Sequence, residues 1–310
     1  MGESKITRLT AAEVHQREKH IAICVNRCKD HLDSHIAHEY RLSSIINICE
    51  HEPGSIIVVE QGEDIVALMA CIEKPFRDDD KRLFIAGLDY SDSNDAFTLL
   101  NYAEQTAKVR NLRKIYIECG TFIDAEQMLA RWGYFAERVW IRKNVDDVVS
   151  YVPNRDVRIC QLNSTMIQKH FDELSDLYLI NEHSHIYCES VKKEEADEEI
   201  NNLQGFLDKG KAYAYGALSD NNRIVGLAWA FPFALECNQR VNLRSITINP
   251  DYRGRSIAKS LMNAVYIRVK DEGYSCMYTH YDKTNASAEG FYVKEGWNPI
   301  GVQMVKHIVP

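Results

Sequence analysis

An internal repeat constrains the fold of this chain more than any other feature of its sequence. The stretches IVAL at 65–68 and IVGL at 224–227 each follow a polar turn, and strand-like runs at 55–60 and 211–218 precede those turns. A hairpin is therefore predicted near the start of each half of the chain. A chain of 310 residues is also long enough for two domains of about 100 to 150 residues each.

The two halves also end alike. Residues 125–134 and 288–297 share a pattern that begins with Ala and ends with Gly followed by an aromatic residue. Before these endings, residues 96–109 and 257–270 have apolar side chains at helical spacing. Each half therefore reads strand, strand, strand, loop, helix, strand, helix, strand. This order predicts the α/β class, with two tandem domains that each contain a mixed, mostly antiparallel sheet flanked by helices.

The link between the halves contains Pro153 and Asn154 and follows a strand-like run at 139–143. Proline and asparagine are frequent in turns and in linkers between domains. We therefore predict a first domain at 1–150 and a second domain at 156–310.

The composition indicates which partners and which compartment to expect. With a formal net charge of −8, the chain is poorly suited to nucleic acid, whose phosphates are bound mainly by Lys and Arg, and better suited to a cationic amine or basic peptide. The longest apolar run, at 224–235, is shorter than the roughly 20 residues that span a bilayer, so it is predicted to be a buried strand and no membrane partner is expected. Nine cysteines without a CxxC pair and an N-terminus without an apolar signal core favour a reducing, cytoplasmic location.

Residues 245–262 are the most informative segment, because they read as a strand, a short loop and an amphipathic helix. The N-terminus of a helix has unpaired backbone N–H groups and a partial positive charge, so a tight loop leading into it can hold a pyrophosphate. Gly254 allows the backbone to approach such a group closely. An ordinary strand-to-helix connection with a basic turn has a similar pattern, so the segment alone leaves both interpretations open.

The loop resembles the Arg-x-x-Gly-x-Gly/Ala signature of the GNAT superfamily of N-acetyltransferases. Arg253 occupies the first position of the signature, Ser256 replaces its central glycine, and Ala258 occupies the last position. Serine at this point is expected to cap the helix with its hydroxyl, while its Cβ narrows the approach for phosphate.

Residues 285–297 resemble the later GNAT motif, in which an Asn opens the last helix and a Tyr follows within it. These residues are Asn285 and Tyr292 in this chain. The two motifs occur in the family's order with a strand between them, which supports the resemblance more than either motif alone. The resemblance covers residues 157–308 well, whereas the first half shares only the outline.

The resemblance implies two tandem GNAT-like domains and a site for acetyl-CoA (coenzyme A) in the second domain. Acetyl-CoA would donate an acetyl group directly to an amine acceptor, either a small molecule or a protein, and no metal is implied. The residues that the resemblance assigns to the cofactor are Ile246, Thr247, Ile248, Arg253, Gly254, Arg255, Ser256, Ile257, Ala258, Lys259, Asn285 and Tyr292.

The family also suggests roles for some of these residues. Two splayed central strands would expose backbone groups of Thr247 and Ile248 to the pantetheine arm, and Asn285 would contact the same arm. Tyr292 would face the sulfur and act as general acid toward the departing thiolate, since a phenol with a pKa of ~10 and a thiol with a pKa of ~8.5 exchange a proton at modest cost. The alternative for Tyr292 is a ring that only packs in the core.

No general base is assigned from the sequence, because the run at 240–248 carries no carboxylate. Six residues could relay a proton through water, and each of them could equally be a solvated loop residue or a structural hydrogen bonder. They are Glu182, His183, His185, Glu189, His280 and Tyr281.

The first half lacks these features at the matching positions. Residues 91–96 replace 253–258 and contain two acids but no glycine or arginine, so a pyrophosphate would be repelled. Phe122 and Leu129 stand in the places of Asn285 and Tyr292. The N-terminal domain is therefore predicted to be a degenerate, catalytically silent GNAT-like domain that supports the fold or recruits a protein partner.

Two alternatives complete the predictions. The whole chain could be a non-catalytic or regulatory interaction protein, including a secreted bacterial effector delivered to a host cytosol, that uses the GNAT fold as a binding platform. In the first half, a stripe at helical spacing carries metal-ligand side chains. A straight helix offers about two ligands to one ion, so a helix packed on its own domain is favoured over a metal site. The stripe consists of Cys24, Cys28, His31, His35 and His38.

Overall fold

The fold is that of a computed structural model. The residues that the structure describes are 4–27, 38–52, 54–76, 80–90, 92–120, 123–145, 154–185, 191–235 and 238–309. Contacts divide the chain into two compact units. The first unit is Met1–Val139 together with Ile300–Pro310, and the second unit is Trp140–Pro299.

The first unit contains helices around one sheet whose strand order is β1-β2-β3-β4-β5-β12. The strand pairs described in this sheet are antiparallel except β4 with β5, which is parallel. Its elements in chain order are β1 (Lys5–Leu9), α1 (Ala11–Gln16), α2 (Glu18–Arg27), α3 (His38–His51), β2 (Ile56–Gln61), β3 (Asp64–Phe76), β4 (Asp80–Tyr90), α4 (Ser93–Val109), β5 (Lys114–Gly120), α5 (Ile123–Arg131), the start of β6 (Phe135–Asn144), and β12 (Asn298–His307) from Ile300 on.

The second unit repeats this plan with the strand order β6-β11-β10-β9-β8-β7, in which β10 and β11 are parallel. Its elements are β6 from Trp140 on, β7 (Arg158–Gln161), α6 (Ser164–Lys169), α7 (Phe171–His183), α8 (Lys193–Asp208), β8 (Tyr213–Leu218), β9 (Ile224–Leu235), β10 (Asn238–Ile248), α9 (Ile257–Asp271), β11 (Cys276–Asp282) and α10 (Ala286–Lys294). The predicted α/β class, with mixed, mostly antiparallel sheets flanked by helices, is confirmed.

Two features differ from the sequence prediction. Each half begins with an additional strand and three helices, which the hairpin-based pattern did not include. The last strand, β12, lies in the first unit, where it pairs with β5 from Gly301↔Gly120 to His307↔Lys114, whereas the predicted boundaries placed it in the domain at 156–310. Likewise, the residues of β6 from Trp140 on lie in the second unit rather than in a domain ending at 150.

The core of the second unit explains why its helices form where they do. Helices α6, α7 and α8 each turn an apolar stripe toward β8 and β9, and burial of these side chains is the main stabilising contribution. The buried residues of this cluster include Ile167, Leu174, Leu177, Ile200, Leu203, Leu227 and Trp229. Among the described residues, no helix is long and apolar enough to span a membrane.

Helix α9 packs closely on β9 because Gly226 has no side chain. A Cβ at Gly226 would lie 2.9 Å from Ile248 Cδ1 and 3.1 Å from Leu261 Cδ1 of α9. Since overpacking of a buried position typically costs about 1 to 3 kcal/mol, we expect Gly226→Val to lower the free energy of unfolding by that amount. Urea or thermal denaturation of the full chain measures this change.

Gly205 provides the matched control, because it lies in α8 and a Cβ there would meet nothing within 4 Å. Alanine is favoured over glycine in a helix interior, so Gly205→Ala should raise the free energy of unfolding by about 0.5 to 1 kcal/mol. A Gly226→Val protein as stable as the parent would contradict the close packing of α9 on β9.

Candidate functional site

The two parallel strands β10 and β11 separate along their length. The described register pairs them at Val241↔Met277 and Asn242↔Tyr278, and Thr279 Oγ1 then donates to Leu243 O at 2.9 Å. Beyond this point residues 245–248 of β10 pair with β9, after a register shift between Leu243 and Ser245. We call the gap between residues 245–248 and 279–282 the strand opening. Because alternate residues of a strand direct their N–H and C=O groups to opposite edges, half of the backbone groups at 245–248 face this opening.

The loop after β10 turns tightly into α9. Asn249 Oδ1 accepts from Asp251 N at 3.0 Å, and a 3-10 turn at Pro250–Tyr252 follows. Gly254 then adopts a φ of +77°, and a Cβ there would meet nothing within 4 Å, so the backbone is open on that side. The loop therefore has the close-approach geometry that a phosphate-binding turn requires.

The N-terminus of α9 presents unpaired donors. The first helical bond of this turn runs from Ser260 N to Ser256 O, so the backbone N–H groups of Ile257, Ala258 and Lys259 precede the regular ladder. The first turn contains no acidic residue. The partial positive charge of the helix end is thus not neutralised by a carboxylate of its own first turn.

Ser256 differs from the sequence expectation in one respect. Its hydroxyl makes no capping bond to the helix, although serine was expected to cap it. The residue adopts a left-handed conformation with a φ of +58°, in which its side chain is not placed to cap as a serine in extended conformation would. This conformation is favourable for glycine and costs a residue with a Cβ roughly 1 to 2 kcal/mol, which accounts for glycine in the family signature.

Cationic side chains surround the loop. Arg253 Nε donates to Ile248 O at 3.3 Å, which ties the start of the signature to the end of β10. Arg255 lies 5.2 Å from the ring centre of Tyr252, and Lys259 Nζ lies 3.7 Å from Glu295 Oε1 with its side chain half exposed. These cations make the end of α9 locally positive in a chain of net negative charge.

Tyr292 lies beside the strand opening. Its side chain is buried, with its ring 5.4 Å from that of Trp297 and 6.1 Å from that of Tyr281. Burial raises the pKa of Tyr292, and a hydrogen bond with Thr279 partly offsets this increase. Because Thr279 is also the residue that bonds to β10 where the strands part, the phenol is held at the inner end of the opening and stays protonated at neutral pH.

Asn285 caps α10, with its Oδ1 accepting from Ala288 N at 3.0 Å. Its side-chain amide is therefore the group that remains to donate to a ligand. The helix is anchored on α9 by Trp297 Nε1, which donates to Tyr266 OH at 2.7 Å, and on β6 by Lys143 Nζ, which donates to Glu295 O at 2.7 Å. These anchors fix the position of Tyr292 relative to the opening.

The six proton-relay candidates are separated by the structure. His183 lies in the last turn of α7 with its Nε2 3.0 Å from Val191 O, and Tyr281 OH donates to Glu289 Oε1 at 3.3 Å, with burial raising the pKa of Tyr281 to about 12. The rings of His185 and His280 are neighbours, with their centres 6.0 Å apart. Glu189 lies outside the described residues.

Glu182, which is buried, belongs to a partly exposed polar cluster at the bulge of β10. Arg244 Nη2 donates to Tyr178 OH at 3.0 Å and lies 3.1 Å from Glu199 Oε1, and Glu182 interacts with both Tyr178 and Arg244. Sequence reasoning did not identify this cluster or the contact of Thr279 with Tyr292 and β10. The available signal was Arg244, a charged residue within the predicted strand at 240–248.

The first unit has a related strand geometry but a different helix end. The register of β4 with β5 runs from Arg82↔Lys114 to Ile85↔Ile117, and β3 and β4 shift register between Ala70 and Cys71. At the start of α4, however, Asp92 Oδ1 accepts from Asn94 N at 2.7 Å, so a carboxylate of the protein occupies the helix N-terminus.

Two further residues distinguish this unit. Burial and the neighbouring Asp92 charge raise the pKa of Asp95 in the first turn of α4. Leu129, in the place of Tyr292, is a buried apolar residue, and Phe122 lies outside the described residues. Of the metal-ligand stripe, Cys24 is buried in the core, Cys28, His31 and His35 lie outside the described residues, and the side chain of His38 is not described.

The mixed sheet, the strand opening and the uncapped N-terminus of α9 agree with the GNAT resemblance of the sequence, and comparison with known proteins supports it. The sequence profile of the acetyltransferase (GNAT) family matches residues 174–297. This segment therefore matches the GNAT acetyltransferase family, and the whole chain has a tandem GNAT fold. No curated protein matches the chain by sequence.

Solved structures share the fold over nearly the whole chain. A tandem GNAT protein from the clavulanic acid biosynthesis pathway matches at 12% identity with a TM-score of 0.59, covering 99% of both chains. A GCN5-related N-acetyltransferase from Sphaerobacter thermophilus matches at 12% identity with a TM-score of 0.65, covering 99% of this chain and 96% of its own. A glucosamine N-acetyltransferase region of a fungal multi-domain β-N-acetylglucosaminidase matches at 12% identity and a TM-score of 0.60, over 99% of this chain and 38% of that longer one.

Proposed function

We propose that this chain is an acetyl-CoA-dependent N-acetyltransferase that transfers the acetyl group directly to an amine, and that its active site lies in the second unit. The single observation that carries the proposal is the alignment of three features around one opening. These are the parted strands β10 and β11, the uncapped N-terminus of α9, and the buried phenol of Tyr292.

The residues of the second unit suit acetyl-CoA. The free N–H groups of Ile257, Ala258 and Lys259, together with the open backbone at Gly254, are suited to the pyrophosphate. The exposed edge of β10 at residues 246–248 offers backbone groups along which an extended pantetheine arm can pair as a strand would. Arg253, Arg255 and Ser256 complete the loop, and the amide of Asn285 lies at the start of α10.

Acetyl-CoA supplies an acetyl thioester, and the protein must provide electrostatic stabilisation and proton transfer. A backbone N–H of β10 at the opening can polarise the thioester oxygen, since dipoles fixed in a partly dry site act strongly on developing charge. Tyr292 holds the proton that the departing sulfur requires, because burial keeps its phenol neutral. Burial keeps the phenol protonated but also makes it a weaker acid, so the general-acid role rests on the position of Tyr292 beside the opening and on its contact with Thr279, and substitution of Tyr292 tests it against a ring that only packs.

The first unit supports the fold in this proposal and does not bind acetyl-CoA, because Asp92 neutralises the N-terminus of α4. A protein partner could be recruited through this unit. The acceptor is the amine of a small molecule or of a protein, and the expected location is the cytoplasm, or a host cytosol for an effector.

An assay of free coenzyme A release tests the proposal. The full chain is incubated with acetyl-CoA and a panel of amines that includes amino sugars, amino acids, polyamines, and peptides with a free lysine or N-terminus. We expect release that depends on at least one amine. Tight binding of acetyl-CoA without release in the presence of any amine would instead support the non-catalytic interaction protein that the sequence left as the alternative.

A further inference from the structure

The end of α7 bridges the strand opening. Asn181 in its last turn accepts from Thr247 Oγ1 at 3.1 Å, which ties the helix to the part of β10 that has left β11. One turn later, just beyond the end of α7, His185 Nδ1 lies 3.0 Å from Asp282 Oδ2 at the end of β11. The same helix end therefore contacts both strands where they separate, and this places His185 at the opening.

Asp282 orients His185 from the interior. The carboxylate is 0% exposed and the imidazole 17% exposed, so the charge of Asp282 needs compensation by a nearby polar or cationic group. The angle of the contact is not that of a linear hydrogen bond, which is common for catalytic pairs before a ligand is bound. Because Nδ1 faces the carboxylate, Nε2 is the ring nitrogen available to accept a proton from a ligand.

His185 approaches β11 from the face opposite to Tyr292. Successive side chains of a strand point to opposite faces, and Thr279 and Tyr281 are the residues of β11 that contact Tyr292. Asp282 and His280 alternate with them and therefore belong to the other face. The opening thus has the phenol of Tyr292 on one face and the imidazole of His185 on the other. Acetyl transfer to an amine uses a proton donor for the departing sulfur and a proton acceptor for the amine.

Aromatic rings lie next to His185 on this face of β11. The His280 ring centre lies 6.0 Å from that of His185 and 4.8 Å from that of Trp140. The titratable and charged groups around His185 are Asp282 and His280 on β11 and Glu182 on α7, whose carboxylate interacts with Arg244 of β10.

We propose that His185, positioned by Asp282, is the general base that deprotonates the acceptor amine, and that the acceptor enters on the face of β11 that carries Asp282. This inference rests on the proposed function. As the amine nitrogen bonds to the acetyl carbon, its proton passes to His185 Nε2, the carbon–sulfur bond breaks, and the sulfur takes the proton of Tyr292. The imidazolium then releases its proton to solvent and the phenolate regains one, so the products are the acetamide and the free thiol of coenzyme A.

Steady-state kinetics of the full chain with acetyl-CoA and the best amine of the panel test the proposal. Since a general base typically contributes about 100-fold or more, we expect His185→Gln to lower kcat by about 100-fold, with the KM for acetyl-CoA unchanged within twofold. The acidic limb of the kcat profile should disappear in His185→Gln. In Asp282→Asn, where the imidazole remains but its carboxylate partner is neutral, kcat should also fall while the KM for acetyl-CoA stays unchanged within twofold.

His183→Gln is the matched control, because His183 is a neighbouring histidine whose ring contacts the backbone at Val191. It should keep kcat and its pH profile within about twofold of the parent. Added imidazole should restore part of the activity of His185→Ala, and calorimetric binding of acetyl-CoA to each variant shows that it is folded.

Two results would overturn the proposal, and they are distinguishable. An active parent whose kcat and pH profile are unchanged by His185→Gln would remove the role of His185 while leaving the acetyltransferase intact. A parent that releases no coenzyme A with any amine would overturn the proposed function and this role with it.

Discussion

Replacing Tyr292 with phenylalanine should lower kcat for amine acetylation by about 100-fold, while the KM for acetyl-CoA stays near that of the parent. The ring of Tyr292 is held by Trp297 and Tyr281, so the substitution removes the hydroxyl and leaves the packing. Loss of a positioned general acid typically costs about 100-fold or more in rate. The measurement is initial-rate coenzyme A release at saturating amine.

Tyr281→Phe is the matched control for this substitution. Tyr281 stacks on Tyr292 and is similarly buried, but its hydroxyl donates to Glu289. We expect kcat to change by no more than about twofold. Equal turnover of Tyr292→Phe and the parent would show that the phenol only packs in the core, and equal losses in both variants would indicate a general effect on the aromatic cluster.

Ser256→Asp should raise the KM for acetyl-CoA by at least about tenfold, which corresponds to ~1.4 kcal/mol of binding free energy. The substitution places a carboxylate at the N-cap residue of α9, as Asp92 does for α4, although residue 256 is left-handed whereas Asp92 is extended and caps its helix. A negative charge there stabilises the helix by roughly 0.3 to 1 kcal/mol and repels the pyrophosphate. Thermal unfolding should therefore show equal or greater stability although the KM rises, which separates this effect from misfolding.

Ser256→Gly supplies the opposite substitution at the same position. Glycine adopts a φ of +58° without the cost that a Cβ imposes, so we expect a gain in stability of about 1 kcal/mol and a KM for acetyl-CoA no higher than that of the parent. If Ser256→Asp and Ser256→Gly have the same KM, the pyrophosphate does not bind at the N-terminus of α9.

Local patterns predicted the parts of this structure that depend on local interactions. The apolar spacing at 257–270 predicted α9 (Ile257–Asp271), and the run at 224–235 predicted β9 (Ile224–Leu235). The hairpins were recognisable because turn residues and alternating strands lie next to each other in the sequence. The strand, loop and helix of the candidate site could be located for the same reason.

Strand partners were not predictable in this way. The alternation in residues 298–307 indicates a strand, but nothing in it specifies β5 as the neighbour of β12. That choice depends on contacts between segments far apart in the chain. The prediction that each half keeps its own last strand was therefore wrong for β12 and for the second half of β6, from Trp140 on.

The residues of the candidate site were likewise predictable only where a local sequence motif contains them. Sequence motifs identify Tyr292 and the loop at 253–258. No motif identifies the pairing of His185 with Asp282, because this pairing joins the end of a helix to the end of a strand far away in the sequence. The left-handed conformation of Ser256 was also not predicted. A serine at the start of a helix usually has an extended conformation and caps the helix, but the tight turn here overrides that preference.

The stoichiometry of acetyl-CoA binding tests the central claim most directly. Isothermal titration of the full chain should give one site per chain, lost or weakened at least about tenfold in Ser256→Asp. One site that responds to Ser256 places the cofactor at the α9 end of the second unit. Two sites per chain, or one site whose affinity is the same in Ser256→Asp as in the parent, would contradict the account.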